Sequence, residues 1–330
     1  LRVPAALAGA MAYMFSDLFI VHFGNLNLVA VAAWLPLIFL LFWRALRRRS
    51  LGLAAGAGLA LGIATLEGHL QITLFIGLAL AVVAIVEAAA ARREGRGWAW
   101  SLLALAITAA VGIGVSALVL LPALQYARLS PRATLSYREA ARYSLIPGLL
   151  GEMVVPALFN TREPGLYWGV WDRVAVGYLG ILPLILAGLA VILWRGRRIR
   201  TFASLAIVAF LLALGGESVV HGWAYRLLPG FGQLRAPART ILLLDFALAA
   251  LAAMGLSRLL NPMRRWTRRS FEKIWRGLVW LTAAAAIVGG AWAYLVIYQA
   301  QDRDPAVFWR ESAAASGVIF SLLLLASSLA

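Results

Sequence analysis

The segment Phe231-Gly232-Gln233-Leu234-Arg235-Ala236-Pro237-Ala238-Arg239 stands just before a long apolar run and has the residue types of an anion site. Proline suits the first turn of a helix, where its missing N–H would have no partner in any case. The free N–H groups and positive dipole end of such a start, flanked by two guanidinium forks, favour phosphate over other common groups. The competing reading is that Arg235 and Arg239 only anchor the helix to lipid headgroups. Asp245 comes later in the same run, roughly 9 Å of helix rise deeper, and either pairs with an arginine or lines the same cavity.

A second set of polar residues lies at the ends of other apolar runs. Asp17 and His22 close the first, ahead of the turn Gly24-Asn25-Leu26-Asn27. Glu67-Gly68-His69-Leu70-Gln71 forms a hairpin between two more, Gln125 and Tyr126 come just after Pro122, and Glu217 ends another. Carboxylates and imidazoles can accept a proton, and amides can donate to hydroxyls. Simpler readings stand beside these. Glu67 and His69 also suit helix caps that snorkel to water. Glu87, one turn from Arg92 and Arg93, reads as a snorkelling ion pair. His221, beside Gly222 and Trp223, reads as solvated in a loop. Two histidines and two carboxylates on separate elements lack a metal-ligand spacing. The sequence therefore names no cofactor and leaves a divalent metal open.

The elements that must position these residues are membrane spans. Of the 330 residues 63% are hydrophobic and 13% charged, against about 45–50% and 25% in soluble domains. Apolar runs fall at 4–21, 28–46, 51–67, 70–91, 98–121, 174–194, 201–216, 239–257, 277–298 and 313–330. Each is near the length of about 20 residues that a bilayer requires. The expected fold is all-α and polytopic, a single multi-span membrane domain over 1–330. The formal charge of +16 is carried almost wholly by arginine, Lys273 being the exception. The arginines cluster in every second gap, at 44–49, 92–96, 195–200 and 258–276. That is a topology signal rather than a phosphate-tracking surface, so nucleic acid is excluded as a partner. The positive-inside rule puts these gaps in the cytoplasm and the others outside.

The stretch 145–159 is apolar but interrupted by Pro147, Gly148, Glu152 and Pro156. Were it a span, two arginine clusters would face outward. The whole of 122–173 is therefore expected to be one external segment, with an interfacial amphipathic helix around 136–144. Tryptophans such as Trp98, Trp194 and Trp275 sit at expected helix ends, as an aromatic belt requires. There is no cysteine, so no disulfide forms. The chain starts at Leu1 and ends inside an apolar run, which reads as a piece of a longer protein.

Seven short motifs occur in order: Tyr13-Met-Phe-Ser16, His22 with Gly24-Asn25, Trp34-Leu-Pro36-Leu, Gly68-His69-Leu-Gln71, Leu121-Pro122-Ala-Leu-Gln125, Tyr178-Leu-Gly180 and Leu234-Arg235-Ala-Pro-Ala-Arg239. Together they resemble the bacterial YfhO family, over nearly the whole chain. That family in turn resembles the GT-C glycosyltransferases, polytopic enzymes that move a sugar from a polyprenyl-phosphate carrier to an acceptor at the outer membrane face. The resemblance implies a catalytic aspartate in a first outer loop, which would lie upstream of Leu1. This sequence departs from the family pattern at Asp17, where glycine is usual, and at Asn25, where histidine is common.

The same resemblance implies an inverting glycosyltransferase in the cell membrane, with an extracytoplasmic active face. Its partners would be membrane lipid, a polyprenyl-phosphate sugar donor and a cell-envelope glycan or glycolipid acceptor. Arg235 and Arg239 would hold the donor phosphate. Asp17, Glu67 and His69 would line the reacting pocket as candidate catalytic groups. His22, Asn25, Gln71, Gln125 and Tyr126 would bind substrate. Two rivals stand: a transporter or flippase for a polar lipid or saccharide, and a non-catalytic envelope-assembly protein.

Overall fold

The computed structural model describes residues 1–95, 97–130, 135–154, 177–228, 230–262, 265–301 and 305–329. Among them every regular element is a helix. In order these are α1 (Val3–Met14), α2 (Asp17–Val21), α3 (Leu26–Arg48), α4 (Leu51–Leu66), α5 (Leu70–Arg93), α6 (Ala99–Leu129), α7 (Tyr137–Ala140), α8 (Ile181–Leu193), α9 (Arg197–Ala213), α10 (Val219–Leu227), α11 (Ile241–Leu259), α12 (Arg265–Ala300) and α13 (Pro305–Leu329), with short 3₁₀ turns between them. Residues 131–134 and 155–173 of the long outer segment read at 122–173 lie outside the described residues.

Six stretches among the described residues are long and apolar enough to cross a membrane: Val3–Val21, Leu26–Arg48, Leu70–Arg93, Ala99–Leu129, Pro237–Leu259 and Arg265–Gln299. They coincide with six of the ten expected spans. The other four fall on shorter apolar stretches. Helix α4 has 16 residues and α8 has 13, giving roughly 24 and 20 Å against a hydrocarbon core of about 30 Å. Helix α9 has 17 residues and opens on Arg197, Arg198 and Arg200. The stretch Ala314–Leu329 of α13 is likewise short.

The chain divides into two compact units. Unit 1 comprises Leu1–Leu18, Leu145–Arg200 and Leu248–Ala330, and unit 2 comprises Phe19–Ser144 and Thr201–Ala247. Small residues allow close helix contact within unit 1. A Cβ on Gly9 of α1 would meet Ala253 of α11 at 2.7 Å, and one on Gly255 would collide with the Leu186 carbonyl of α8. The Arg2 N–H donates to Ser257 Oγ at 3.1 Å, and α12 and α13 pack as a hairpin.

Unit 2 is built on the antiparallel helices α3 to α6. Arg49, with a left-handed φ of 49°, ends α3, and Ser50 caps α4 by accepting from the Leu53 N–H at 3.3 Å. Gly68, with φ of 88°, turns the chain from α4 into α5. Glycines let α4 lie directly on α6, where Thr108 Oγ1 also donates to the Ala54 carbonyl at 3.0 Å. Phe39, Phe202 and Phe246 make a ring cluster with centroids 5.0–6.0 Å apart. Such small-residue contacts drive association where lipid gives helices no hydrophobic reason to meet.

Three local expectations are corrected. Helix α6 does not stop at 121; it continues through Pro122 to Leu129, about 46 Å in all. The amphipathic helix expected around 136–144 is the single turn α7, closed by a Ser136–Glu139 capping box. Glu87 does not snorkel to Arg92 or Arg93. It is buried, and its Oε1 accepts from Thr201 Oγ1 at 3.2 Å.

Candidate functional site

The alternating helix directions of unit 2 bring the start of α3, the α4–α5 turn and the end of α6 to one end of the unit. That end is covered by short elements. Helix α7 packs on α10 and on the 3₁₀ turn Phe231–Gln233, which also packs on α10. The segment 231–240 then crosses the α4–α5 turn and feeds α11.

Gln71, in the first turn of α5, holds this segment from both ends of its amide. Its Nε2 donates to the carbonyl of Arg235, and its Oε1 accepts from Arg239 Nη1 at 3.0 Å. Both ends of the Gln71 amide, expected from the sequence to meet substrate, thus contact this segment. The same segment is tied to the chain after α7, because the N–H of Ala236 donates to the Arg142 carbonyl at 3.1 Å and that of Ala238 to the Tyr143 carbonyl at 3.4 Å. Ala236 and Tyr143 both adopt left-handed φ, 55° and 67°. Non-glycine residues adopt that conformation only when their surroundings fix it, and such residues concentrate at binding and switch sites.

The start of α11 differs from the sequence expectation in one respect. Pro237–Thr240 is a 3₁₀ turn rather than the first α-turn. The N–H groups of Ala238 and Arg239 are already bonded, to the carbonyls of Tyr143 and Ala236. The segment therefore presents guanidinium groups rather than open backbone donors at these two positions. Arg235 is exposed and Arg239 half-buried. Arg142 is a third arginine at this seam, exposed and lying over the Tyr143 ring at 5.1 Å. Sequence reasoning did not single it out; the signal was only the scatter of arginines in 122–173.

The remaining candidates, Asp17 apart, lie in unit 2. His69 is the N-cap of α5, its Nδ1 accepting from the Ile72 N–H at 3.4 Å. Glu67 is the exposed C-cap of α4. His22 and Asn25 form the turn before α3, with the Asn25 N–H donating to the His22 carbonyl at 2.7 Å. Asn27 abuts the hairpin, its Nδ2 3.6 Å from where a Cβ on Gly68 would stand. Gln125 and Tyr126 are exposed on the last turns of α6 rather than in a loop. Asp245 is fully buried in α11. Asp17 belongs to unit 1, where it starts α2 and its N–H donates to the Tyr178 carbonyl at 2.9 Å. Among the described residues no three His, Asp or Glu side chains gather as a metal site.

His221 is not the solvated loop residue expected. It lies on α10, 2% exposed, between the rings of Tyr137 at 5.7 Å and Phe231 at 5.6 Å, with Tyr225 against Tyr137. Burial holds its imidazole below the ordinary pKa of a histidine, because an apolar surround disfavours the charged form. The folded cap therefore keeps a neutral ring that the unfolded chain would protonate. Its contribution is complete above about pH 6.5 and falls as acid drives the ring to charge. Acidification from pH 7 to 5 should lower the melting temperature, and amide exchange over 219–231 should rise. His221→Phe should flatten both responses. An unchanged pH profile in that variant would show that other groups carry the effect.

No protein-family profile matches the chain, and neither does any curated protein or solved structure.

Proposed function

We propose that this chain is a polytopic, GT-C-type membrane glycosyltransferase segment with about ten spans, which transfers a sugar from a polyprenyl-phosphate donor to an extracytoplasmic envelope acceptor. The observation that carries the reading is the seam formed by Gln71, Arg235, Arg239 and Arg142. It holds the Arg239 guanidinium and the backbone of Arg235 and Arg142 at the head of an apolar helix, beside left-handed alanine and tyrosine residues. Arginine suits a lipid-linked phosphate because its planar fork meets two oxygens at once. In the proposed mechanism Arg235 and Arg239 steady the departing phosphate. A carboxylate accepts the proton of the attacking hydroxyl, and Glu67 is the candidate that shares unit 2 with these arginines. Inversion at the sugar needs one such base. His22, Asn25, Gln125 and Tyr126 are the proposed contacts to sugar and acceptor, and His69 orders the turn between Glu67 and Gln71.

The test is sugar transfer from a defined polyprenyl-phosphate sugar by the full-length protein in vesicles. A transporter reading has its own observation, the burial of Glu87 and Asp245 within apolar helices, because buried ionisable groups in spans mark transport pathways. Label that crosses the vesicle wall with its donor bond intact would favour transport. Label appearing on the acceptor would favour transfer.

The proposed topology makes a separate prediction. Single cysteines introduced into this cysteine-free chain at 47–50, 92–97, 195–200 and 258–276 should be reachable only from the cytoplasm. Those in 122–173 and 217–238 should be reachable from outside. External labelling at position 197 would overturn the alternating arrangement.

A further inference from the structure

Unit 1 has a partly open cavity of about 260 Å³, lined by residues that include Gly9 of α1, Leu186 of α8, Leu256 and Leu259 of α11, and Phe271 and Trp275 of α12. Among the described residues no charged or hydroxyl side chain lines it. Protein interiors rarely leave voids of this size, and an apolar one does not hold water. Its natural content is hydrocarbon. Phe271 and Trp275 stack with centroids 5.3 Å apart and add aromatic surface to one wall.

The rim is basic. Arg258 directly precedes Leu259, Arg276 comes directly after Trp275, and all of Arg258, Arg268 and Arg276 are exposed. Arg268 stands three residues before Phe271, hence on the same side of α12. Glu272 holds this part of the rim in order: Arg268 Nε donates to its Oε1 at 2.9 Å and Arg276 Nε to its backbone carbonyl at 3.3 Å. We propose that the cavity receives one acyl chain of an anionic phospholipid, whose phosphate meets Arg258, Arg268 and Arg276. Basic clefts between spans recognise such headgroups, and the apolar cavity adds selectivity for a chain inserted beside them. The inference requires only that the chain lies in a bilayer. It is independent of any sugar transfer.

The probe is phosphatidylglycerol with brominated acyl chains, added at low mole fraction to the protein in phosphatidylcholine nanodiscs, with tryptophan fluorescence as the readout. Brominated phosphatidylglycerol should quench more than brominated phosphatidylcholine at the same fraction, with enrichment on the order of tenfold. Trp275→Phe should remove the excess quenching. The triple variant Arg258→Gln/Arg268→Gln/Arg276→Gln should reduce it to the phosphatidylcholine level. Equal quenching of the unaltered protein by the two lipids overturns the proposal without reference to any variant. So does excess quenching that persists in Trp275→Phe.

Discussion

Arg239→Ala should lower sugar transfer from a polyprenyl-phosphate donor by roughly 10- to 100-fold while membrane insertion is retained. The magnitude is that of one charge-assisted hydrogen bond, about 1.5–3 kcal/mol. Arg239→Lys should fall between the alanine variant and the unaltered protein, since it keeps the charge and loses the fork. Gln71 separates positioning from contact. Its Oε1 accepts from Arg239 and its Nε2 donates to the Arg235 carbonyl, so Gln71→Leu frees both without removing a positive charge. That variant should weaken apparent donor affinity and leave the maximal rate nearer normal. Gln71→Glu would pair with the Arg239 guanidinium and compete directly with a phosphate, so its loss should exceed that of leucine. Undiminished transfer by Arg235→Ala/Arg239→Ala would leave these arginines as headgroup anchors only.

Much of this arrangement was legible along the chain because membrane helices announce themselves by length and apolar content. Arg44–Arg49, Arg92–Arg93 and Arg195–Arg200 fall at helix ends as expected. The juncture at Pro237 was also legible, because a proline before an apolar run marks a helix start. What the sequence could not supply was pairing at a distance. Gln71 lies 164 residues from Arg235 and 168 from Arg239, and no spacing rule joins them. It therefore read as a substrate ligand rather than a brace.

Two local misreadings have physical causes. Pro122 read as a helix end, but a proline inside an apolar helix is tolerated where neighbouring groups satisfy the freed carbonyl. Helix α6 accordingly runs on to Leu129. His221 read as loop because Gly222 stands next to it. Periodicity did not reveal its setting, because the apolar stripe Val219, Trp223 and Leu227 is the exposed face of α10 while His221 and Ala224 are buried. Glu87 illustrates a different limit. Its one-turn offset from Arg92 and Arg93 suited a snorkelling pair, yet the long-range contact with Thr201 captures its carboxylate inside the unit.

The glycines of α4 carry the packing on which the candidate site depends, and they do not carry it equally. A Cβ on Gly62 would stand 2.5 Å from Val115 Cβ and 3.0 Å from the Gly112 carbonyl, and one on Gly58 would stand 2.6 Å from the Thr108 carbonyl. Two of those three obstacles are backbone, so a side-chain rotation cannot clear them. A Cβ on Gly56 would meet nothing within 4 Å. Gly62→Leu and Gly58→Leu should therefore force α4 off α6, at a cost of about 1–3 kcal/mol or more for overpacking. Gly56→Leu, on the same helix but off the contact face, should be close to neutral. The displaced α4 would carry the Glu67–Gln71 turn with it, so both damaging variants should also lose the brace on Arg235 and Arg239. Thermal unfolding in detergent measures the first effect, and protease accessibility of the 231–240 segment measures the second. Equal melting temperatures for Gly56→Leu and Gly62→Leu would mean that α4 does not rest on α6 through its glycine face, and that the end of unit 2 is held together by other contacts.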